Sequence, residues 1–414
     1  MPQPLRSILT PLASLKLTVI LFTLAMILIF AGTLAQREMG NWDVVYQYFR
    51  SPNADHPSPI IMIPLRHLLF VNVPGALPFP GGMIIGGLLL ANLLAAHAVR
   101  FRATWKRAGV LILHAGLIVL LIGEAVTAWT ADEGMMIVPE GGQSQHIEDL
   151  REVELAVIDP GDEQHDRVTV IPQAMLEAAY QGGAITHPDL PFAIEVLDWM
   201  PNSDVLGPRQ DQSKAAPNLA TTGHGKMLSV VAKPPATGVA GNDVDRPAAY
   251  VRLTRDGQDL GTYLVSNNFA TLIMLPSRQT VTVADKPYEI ELRFRRTYKP
   301  YTIEVLETRH DKFVGTEIPR NFSSRVRVID PQQHEDREVL IRMNQPLRYR
   351  GDTFYQSQMG QMAGGDDGVV PYTGLQVVRN PGWLLPYVSC VLVSLGMLVH
   401  FGMMLVNFTA RKMA

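Results

Sequence analysis

Four long apolar runs constrain this chain more than any other feature of its sequence. Leu17 to Ala35 and Gly81 to Val99 each hold 19 residues without an acidic or basic charge, and Trp383 to Phe408 holds 26. The run from Ala108 to Trp129 is interrupted by only two ionisable side chains. Because a membrane-spanning helix needs about 20 mostly apolar residues, the sequence predicts four transmembrane helices.

Clusters of Lys and Arg beside these runs predict how the helices cross the membrane. The loop 100–107 between the second and third runs contains four of these residues and no acidic one. Arg6 and Lys16 precede the first run, and Arg411 and Lys412 follow the last. Short loops rich in Lys and Arg stay in the cytoplasm. Both termini and this loop are therefore predicted to be cytoplasmic.

This topology divides the chain into five parts. They are the N-terminus with helix one at 1–35, an extracytoplasmic loop at 36–80, helices two and three at 81–129, an extracytoplasmic domain at 130–382, and helix four with the C-terminus at 383–414. The first run is predicted to be retained, because it is longer than the roughly 7–15 apolar residues of a cleaved signal peptide.

The segment 130–382 has the periodicity of antiparallel β structure. Stretches such as FAIEVLDWM and YEIELRFRR alternate apolar with polar side chains and are rich in Val, Ile and Tyr. Asp256-Gly257 lies between two such stretches and is typical of a hairpin turn. Pro201 to Pro247 is rich in Pro, Gly, Ala and Asn and is predicted to be a flexible insertion. The predicted fold class is a membrane protein with four transmembrane α-helices and a large extracytoplasmic, mainly antiparallel β domain, a sandwich or a barrel.

Composition and motifs exclude several classes of function. The net charge of -3 does not indicate a nucleic-acid partner. Cys390, the single cysteine, lies in the fourth apolar run, so the external domain has no disulfide or thiolate metal site and any thiol-reducing chemistry belongs to a partner. The chain has no HExxH, GxSxG, CxxC or phosphate-binding glycine motif. We therefore assign no catalytic residue.

His114 is the strongest candidate for a functional side chain. It lies seven residues after Arg107, which places it about 10 Å into the third helix at a rise of 1.5 Å per residue. An ionisable group at that depth is a functional-site hypothesis, and a neutral imidazole is a good axial ligand for haem iron. His97 and His400 are weaker candidates, because snorkelling or a hydrogen bond to a neighbouring helix explains them. Glu124 is predicted to face the external interface.

Small residues and the remaining histidines complete the candidates. Glycines recur every seven residues on the third run at 109, 116 and 123, and Gly82 with Gly86 forms a GxxxG step on the second. This spacing favours close helix approach, within the protein or to a partner.

Trp42, Tyr46, Tyr48 and Phe49 in the first loop are predicted to anchor at the lipid interface, with a ligand role as the alternative. The other histidines are predicted to be surface residues, namely His56, His67, His146, His165, His187, His224, His310 and His334.

Five segments resemble the ResB family of cytochrome c biogenesis proteins. They are LASLKLTVILF at 12–22, LHAGLIVLLIG at 113–123, NFSSRVRVID at 321–330, MNQPLRYRGDTFYQSQM at 343–359 and NPGWLLPYVSCVLVSLGMLVHF at 380–401. The resemblance implies a four-helix subunit that works with a CcsA/ResC-type membrane protein in the System II pathway. Together they carry haem across the membrane and present it to apocytochrome c. In that family a third-helix histidine ligates haem, which maps onto His114.

Several expectations follow from this resemblance. The chain is predicted to lie in the bacterial cytoplasmic membrane, in contact with lipid, and to be a non-catalytic or co-catalytic subunit of a holocytochrome c synthase complex. The tryptophan-rich haem-handling segment of the partner is absent, so the chain alone is not a complete synthase. The stretch around Gly351 is predicted to form a turn followed by a strand, and to dock the partner or apocytochrome rather than to catalyse.

Two alternatives remain open at this point. In the first, the chain is a scaffold that docks apocytochrome c or the partner, and haem touches only the other subunit. In the second, it is a transporter or a membrane-anchored sensor unrelated to haem. Loss of the gene separates them, because only a role in cytochrome c maturation predicts a cytochrome c defect.

Overall fold

The structure is a computed structural model that describes residues 3–53, 56–69, 73–100, 104–161, 165–237, 244–271, 276–315, 319–363 and 368–413. The chain divides into two compact units. The first, here called the membrane unit, contains Met1–Asp132 and Arg379–Ala414. The second, here called the β unit, contains Glu133–Ala236 and Asn242–Val378.

Eight α-helices form within the described residues. They are α1 (Gln3–Leu12), α2 (Leu15–Ala35), α3 (Asn41–Val44), α4 (Arg66–Leu69), α5 (Gly82–Val99), α6 (Ala108–Thr130), α7 (Gln173–Tyr180) and α8 (Leu385–Met413). A π-helical turn, Val45–Phe49, continues α3, and short 3-10 turns occur at Trp105–Arg107, His224–Met227 and Asn267–Thr271.

Four of these helices are long and apolar enough to cross a membrane, as the sequence predicts. They are α2, α5, α6 and α8, and each begins within two residues of the predicted apolar run. Such helices satisfy every backbone hydrogen bond internally, which is what a hydrocarbon environment demands.

The glycine stripe of α6 packs against α8 over about four turns. Gly109, Gly116 and Gly123 are all buried. A Cβ atom built on Gly109 would lie 2.5 Å from the backbone nitrogen of His400, and one on Gly116 would lie 2.7 Å from the side chain of Val393. The predicted close approach is therefore confirmed, and its partner is a helix of the same chain. Backbones this close leave room for no side chain larger than glycine.

Strands are numbered in chain order. They are β1 (Ile60–Pro64), β2 (Ala76–Pro80), β3 (Asp132–Pro139), β4 (Gln143–Asp159), β5 (Arg167–Pro172), β6 (Ala184–Ile185), β7 (Ala193–Met200), β8 (Ser203–Leu206), β9 (Ser229–Ala232), β10 (Ala248–Arg255), β11 (Gln258–Ser266), β12 (Gln279–Val283), β13 (Lys286–Lys312), β14 (Pro319–Asp330), β15 (Glu335–Arg342), β16 (Leu347–Tyr349), β17 (Asp352–Ala363) and β18 (Val369–Arg379).

The first loop is a folded element of the membrane unit, here called the cap (residues 36–80). Strands β1 and β2 form an antiparallel hairpin whose Ile63 is fully buried. The cap shares a hydrophobic cluster with Leu28 of α2 and Ile85 of α5. Gly82 lets the backbone of Phe49 approach, since a Cβ there would lie 2.7 Å from the Phe49 carbonyl oxygen. Gly86, the other member of the predicted GxxxG step, has no atom within 4 Å of such a Cβ.

The β unit contains a ten-stranded sheet and a four-stranded sheet. The larger has the order β15-β14-β13-β4-β3-β18-β17-β16, with β12 beside β13 and β5 beside β4. The smaller has the order β11-β10-β7-β6. The pairing of β10 with β11 is antiparallel and turns at Asp256 and Gly257, which both have positive φ. This turn confirms the hairpin predicted there.

Two hydrophobic cores lie along the long strand β13. In the first, Leu155 and Ile290 of the larger sheet pack with Ile194 and Val251 of the smaller, which is a sandwich. In the second, strands from both ends of the larger sheet share one core that includes Val326, Ile341, Leu347 and Phe354. The larger sheet therefore curls around that core. The prediction of a large, mainly antiparallel β domain is confirmed.

Part of residues 201–247, which their composition predicts to be a flexible insertion, has regular structure within the described residues. Strands β8 and β9 pair there as a two-stranded antiparallel sheet. Leu228 and Val230 are buried in a cluster with Tyr250 and Leu264. The side-chain amide of Asn202 donates to the Pro234 carbonyl, 2.8 Å away. Enough apolar side chains occur among the Pro and Gly residues to cover one face of the smaller sheet, so part of this segment has regular structure.

Candidate functional site

Two of the three candidate histidines meet inside the membrane unit. His97 lies in the last turn of α5, and His114 lies in the second turn of α6. Nε2 of His97 is 2.9 Å from Nδ1 of His114, which is a hydrogen bond between the two imidazoles. The rings are edge to face, with centroids 5.0 Å apart and an interplanar angle of 87°. The sequence predicted both residues as candidates, but not that they form a pair.

His400 is placed by the same glycine stripe but does not take part in this hydrogen bond. Its backbone lies against Gly109 of α6, five residues before His114. Its ring lies edge to face with Phe401, at a centroid distance of 5.4 Å. Glu124 is exposed on α6, ten residues beyond His114. The structure therefore provides a histidine pair and not a cluster of three histidines.

The histidine pair suits a cofactor that brings its own equatorial ligands. Within the described ranges, no group of three or more His, Cys, Asp or Glu side chains converges as it would around a metal ion. Haem iron, in contrast, needs only axial donors from the protein, and an imidazole in apolar surroundings is a common one. His114 is partly buried between glycine-rich, apolar turns of α6. One imidazole of the pair could therefore hold haem iron.

The stretch 343–359 contains a hairpin whose polar side chains point into the β unit. Strands β16 and β17 pair across Arg350 and Gly351, which both have positive φ. Tyr349 donates its O–H to Oδ2 of Asp330 at 2.8 Å, and Arg350 donates to the same oxygen at 2.9 Å. Asp330 is fully buried. Burial raises the pKa of Asp330, but the hydrogen bonds from Tyr349 and Arg350 outweigh that effect and hold the pKa below its usual range.

A second buried carboxylate fixes the other side of this hairpin. Asp352 is 3 % exposed and accepts a hydrogen bond from the Tyr301 hydroxyl at 2.5 Å. Lys299 lies 3.0 Å from the same carboxylate oxygen. The ring of Tyr301 also lies edge to face with those of Tyr349 and Phe354. The predicted turn and strand are confirmed, and these contacts give the hairpin a structural role.

One histidine that the sequence assigned to the surface is buried in the cap. His67 is 3 % exposed, and Tyr48 is 1 % exposed. The Tyr48 hydroxyl lies 2.9 Å from Nδ1 of His67, and Nε2 of His67 lies 3.3 Å from Glu38. A carboxylate only accepts, so Nε2 donates to Glu38 and Nδ1 accepts from Tyr48. The surface prediction for His67 and the interface prediction for Tyr48 are therefore corrected, because the cap folds back over the ends of α2 and α5.

The charge state of this cap network follows from its surroundings. Burial raises the pKa of Tyr48 to about 12, so its hydroxyl stays protonated and available as a donor. Desolvation raises the pKa of Glu38, but hydrogen bonds from Arg66 and His67 outweigh it and the net pKa is lowered. Arg66 binds that carboxylate at 2.6 Å. His67 thus links the Tyr48 hydroxyl to the Glu38 carboxylate within the cap.

Glu38 gives the cap a defined dependence on pH. A carboxyl whose pKa is lowered in the folded state stabilises it above the unfolded pKa, and the contribution is lost as pH falls through the folded value. We therefore expect the difference in unfolding midpoint between the wild type and Glu38→Gln to be constant near neutral pH. It should shrink below about pH 4.5, the ordinary glutamate value. Unfolding of the detergent-solubilised protein from pH 7 to 3 measures it, and a difference that grows on acidification would contradict the assignment.

A polar side chain in the second apolar run was also missed. Asn92 of α5 is 5 % exposed. Its amide donates to the carbonyls of Leu12 and Ser14, the latter at 3.1 Å, and its oxygen accepts from Thr18 at 2.7 Å. The Asn92 amide thus donates hydrogen bonds to backbone carbonyls at the junction where α1 ends and α2 begins. A signal was present, since an amide inside an apolar run needs a partner as much as a histidine does.

Two segments of the chain match the model of a known protein family. Residues 95–160 and 262–368 match the model of the ResB-like family. The first matched segment contains His97 and His114, and the second contains the hairpin around Gly351. The chain is also similar to Protein NrfI of Wolinella succinogenes, with 22% identity over 317 residues, or 75% of this chain and 29% of that protein. The chain thus spans less than a third of that relative's length. The predicted resemblance to the ResB-like family is therefore confirmed over these two segments.

Proposed function

We propose that this chain is a subunit of a membrane complex that carries haem across the bilayer and supports its covalent attachment to apocytochrome c. The ResB-like match supports a role in cytochrome c biogenesis. The observation that carries the haem part of the proposal is the histidine pair, because His97 and His114 meet inside apolar helices and within the matched segment. Haem is the cargo of the complex in this proposal.

His114 is the proposed axial ligand of the haem iron. Its position after the basic turn at Lys106 and Arg107 supports a site in the cytoplasmic half of the membrane. Haem would then bind near the cytoplasmic face of the membrane and move toward the extracytoplasmic face. The proposal accordingly places the chain in the bacterial cytoplasmic membrane, with both termini in the cytoplasm and the β unit outside.

The chemistry of attachment falls to other members of the complex. Cys390 is the only thiol of the chain and lies on α8. Attachment of haem to apocytochrome c joins vinyl groups of haem to cysteine thiols, which apocytochrome c supplies. We assign a CcsA/ResC-type subunit as the partner that completes the site, and separate thiol-reducing proteins as the source of reduced cysteines. The β unit is the proposed docking surface for apocytochrome c or for the partner.

Haem content of the complex tests this function. We expect His114→Ala, in the complex purified with its CcsA/ResC-type partner, to bind haem about 100-fold more weakly. Removing only the hydrogen-bond partner of a metal ligand costs about 10- to 100-fold in affinity, so loss of the ligand itself should reach at least the upper end of that range. Haem per complex, measured by pyridine haemochrome absorbance, gives the result. Added imidazole should restore part of the binding. His187→Ala is a matched control, since that histidine is exposed in the β unit.

The same measurement separates the two main alternatives. Unchanged haem content in His114→Ala would remove His114 as the ligand. If cytochrome c maturation in cells nevertheless required the β unit, the scaffold function would replace the haem-carrying one. Normal cytochrome c levels after loss of the gene would contradict both.

A further inference from the structure

We propose that His97 is a positioning residue for His114: it holds that imidazole in the tautomer whose Nε2 ligates the iron, and it is not itself a ligand. The inference rests on the proposed function, because it assigns a role to a second side chain at the same haem site. It changes the assignment of His97 from weaker ligand candidate to hydrogen-bond acceptor.

The hydrogen bond between the rings admits two proton arrangements. A neutral imidazole has one N–H donor and one acceptor nitrogen. If Nδ1 of His114 donates to Nε2 of His97, then Nε2 of His114 has a lone pair. If His97 donates instead, Nε2 of His114 carries the proton and cannot bind iron. Only the first arrangement is compatible with ligation by His114, at the observed separation of 2.9 Å.

This arrangement matches the usual surroundings of a metal-bound histidine. Such a residue almost always donates its second ring N–H to an acceptor, which fixes the tautomer, orients the ring and raises the basicity of the ligating nitrogen. A carboxylate or a backbone carbonyl is the common acceptor in water-filled sites. Inside an apolar helix pair, the neutral imidazole of His97 provides the acceptor without introducing a charge into the membrane.

The same geometry excludes His97 as the opposite axial ligand while the pair is intact. When Nδ1 of His114 donates to Nε2 of His97, the lone pair of that His97 nitrogen is engaged in the hydrogen bond. A neutral imidazole has one acceptor nitrogen, so Nδ1 of His97 then carries the proton. His97 therefore has no lone pair left with which to bind iron.

The position of α5 supports a role in orientation. Asn92, five residues before His97, ties α5 to the backbone at Leu12 and Ser14. His97 is therefore presented from a helix that is fixed independently of α6. The His97 ring, held in this way, fixes the rotation of the His114 imidazole about its side-chain bonds. Without this hydrogen bond, the His114 ring would sample several rotations.

A purely structural pair makes a different prediction. An interhelical hydrogen bond in a membrane stabilises helix packing, and such a role alone would leave the electronic state of bound haem unchanged. His97→Phe keeps an aromatic ring but has no acceptor. His97→Asn retains a side-chain oxygen that can accept from Nδ1 of His114. These two variants separate loss of packing from loss of the acceptor.

The test uses the complex purified with its partner and reduced haem as the probe. For His97→Phe we expect haem affinity to fall about 10- to 100-fold, the range found when the hydrogen-bond partner of a ligating histidine is removed. The iron–histidine stretching band in resonance Raman spectra should move to lower frequency, because the ligating nitrogen becomes less basic. His97→Asn should restore most of both properties. Should His97→Phe fail to fold, His97→Leu, which also has no acceptor, measured against His97→Asn reports the same band.

Each outcome decides the inference. Wild-type affinity and an unchanged iron–histidine band in His97→Phe would overturn the positioning role. Loss of one axial ligand in that variant, with recovery on adding imidazole, would make His97 a ligand and overturn it as well. If His114→Ala retains full haem, the proposed function itself fails. If His114→Ala loses haem while His97→Phe matches the wild type, only the role of His97 fails.

Discussion

Gly396→Leu is expected to break the packing of α8 against α6. A Cβ atom at position 396 would lie 2.5 Å from the backbone nitrogen of Leu113 and 2.8 Å from the carbonyl oxygen of Gly109. Backbone atoms cannot rotate out of the way as a flexible side chain can, so the helices must separate. Adding bulk to well-packed cores costs about 1–3 kcal/mol where neighbours can adjust. We expect a loss above about 3 kcal/mol, the top of that range, measured by titrating the micelle-solubilised protein with SDS.

Gly402→Leu is the matched control on the same helix. No atom lies within 4 Å of a Cβ built on Gly402. The change in side-chain chemistry and in helix propensity is the same at both sites, and only the clash with α6 differs. We therefore expect Gly402→Leu to unfold at nearly the wild-type SDS concentration. Equal destabilisation of the two variants would mean that α6 and α8 are not held together by this contact.

The membrane helices were predictable because one physical requirement determines them. A run of about 20 apolar residues has few stable alternatives to a spanning helix. The structure changes the predicted ends by at most two residues, except that α8 continues five residues past its apolar run to Met413. The spacing of Gly109, Gly116 and Gly123 also identified a packing face. It could not identify α8 as the neighbour, because a periodic stripe defines a surface on one helix and contains no information about what covers it.

The β unit was predictable in its local pattern and not in its pairing. Alternation of apolar and polar side chains indicated strands, and the turn at Asp256-Gly257 joins neighbouring strands. Strand β4 instead pairs with β13, so that Leu155 lies opposite Leu292. A pairing between residues so far apart in the chain depends on the whole arrangement of both cores. Composition likewise concealed the four-residue strand β8, which lies in a segment rich in Pro and Gly. The stretch KMLSVVAK at 226–233, which contains β9, has the same alternation as the other strands.

The candidate site was predictable one residue at a time. Distance from a basic cluster placed His114 at depth in a helix, and the same argument made His97 a candidate. The contact between them requires the relative rotation of α5 and α6, which no single helix pattern fixes. His67 had no signal at all, because a histidine in a polar loop resembles a surface residue until the cap folds over it. Asn92 had the signal, since it is an amide within an apolar run.

Asp352→Ala is expected to be among the most destabilising substitutions in the β unit. The carboxylate is 3 % exposed and binds the Tyr301 hydroxyl and the ammonium of Lys299, whose side chain is 9 % exposed. Removing it leaves a cation and a hydroxyl without their acceptor inside the second core. Breaking one side of a buried ion pair costs about 3–5 kcal/mol. Guanidinium unfolding of the full-length protein in micelles, followed by the β-sheet circular dichroism signal, measures the loss.

Two further variants show whether buried charge is the cause. Glu195→Ala breaks a cross-strand pair with Arg252 in the same unit, but both side chains are more than two-fifths exposed, at 47 % and 42 %. Exposed pairs contribute about 0.2–1 kcal/mol, so this variant should change little. Replacing both partners, Asp352→Leu with Lys299→Met, removes the unpaired charge and should recover much of the stability. What remains should reflect the lost hydrogen bond from the Tyr301 hydroxyl to the carboxylate, about 1.5–3 kcal/mol. A double variant as unstable as Asp352→Ala would mean that hairpin geometry, and not charge burial, makes Asp352 necessary.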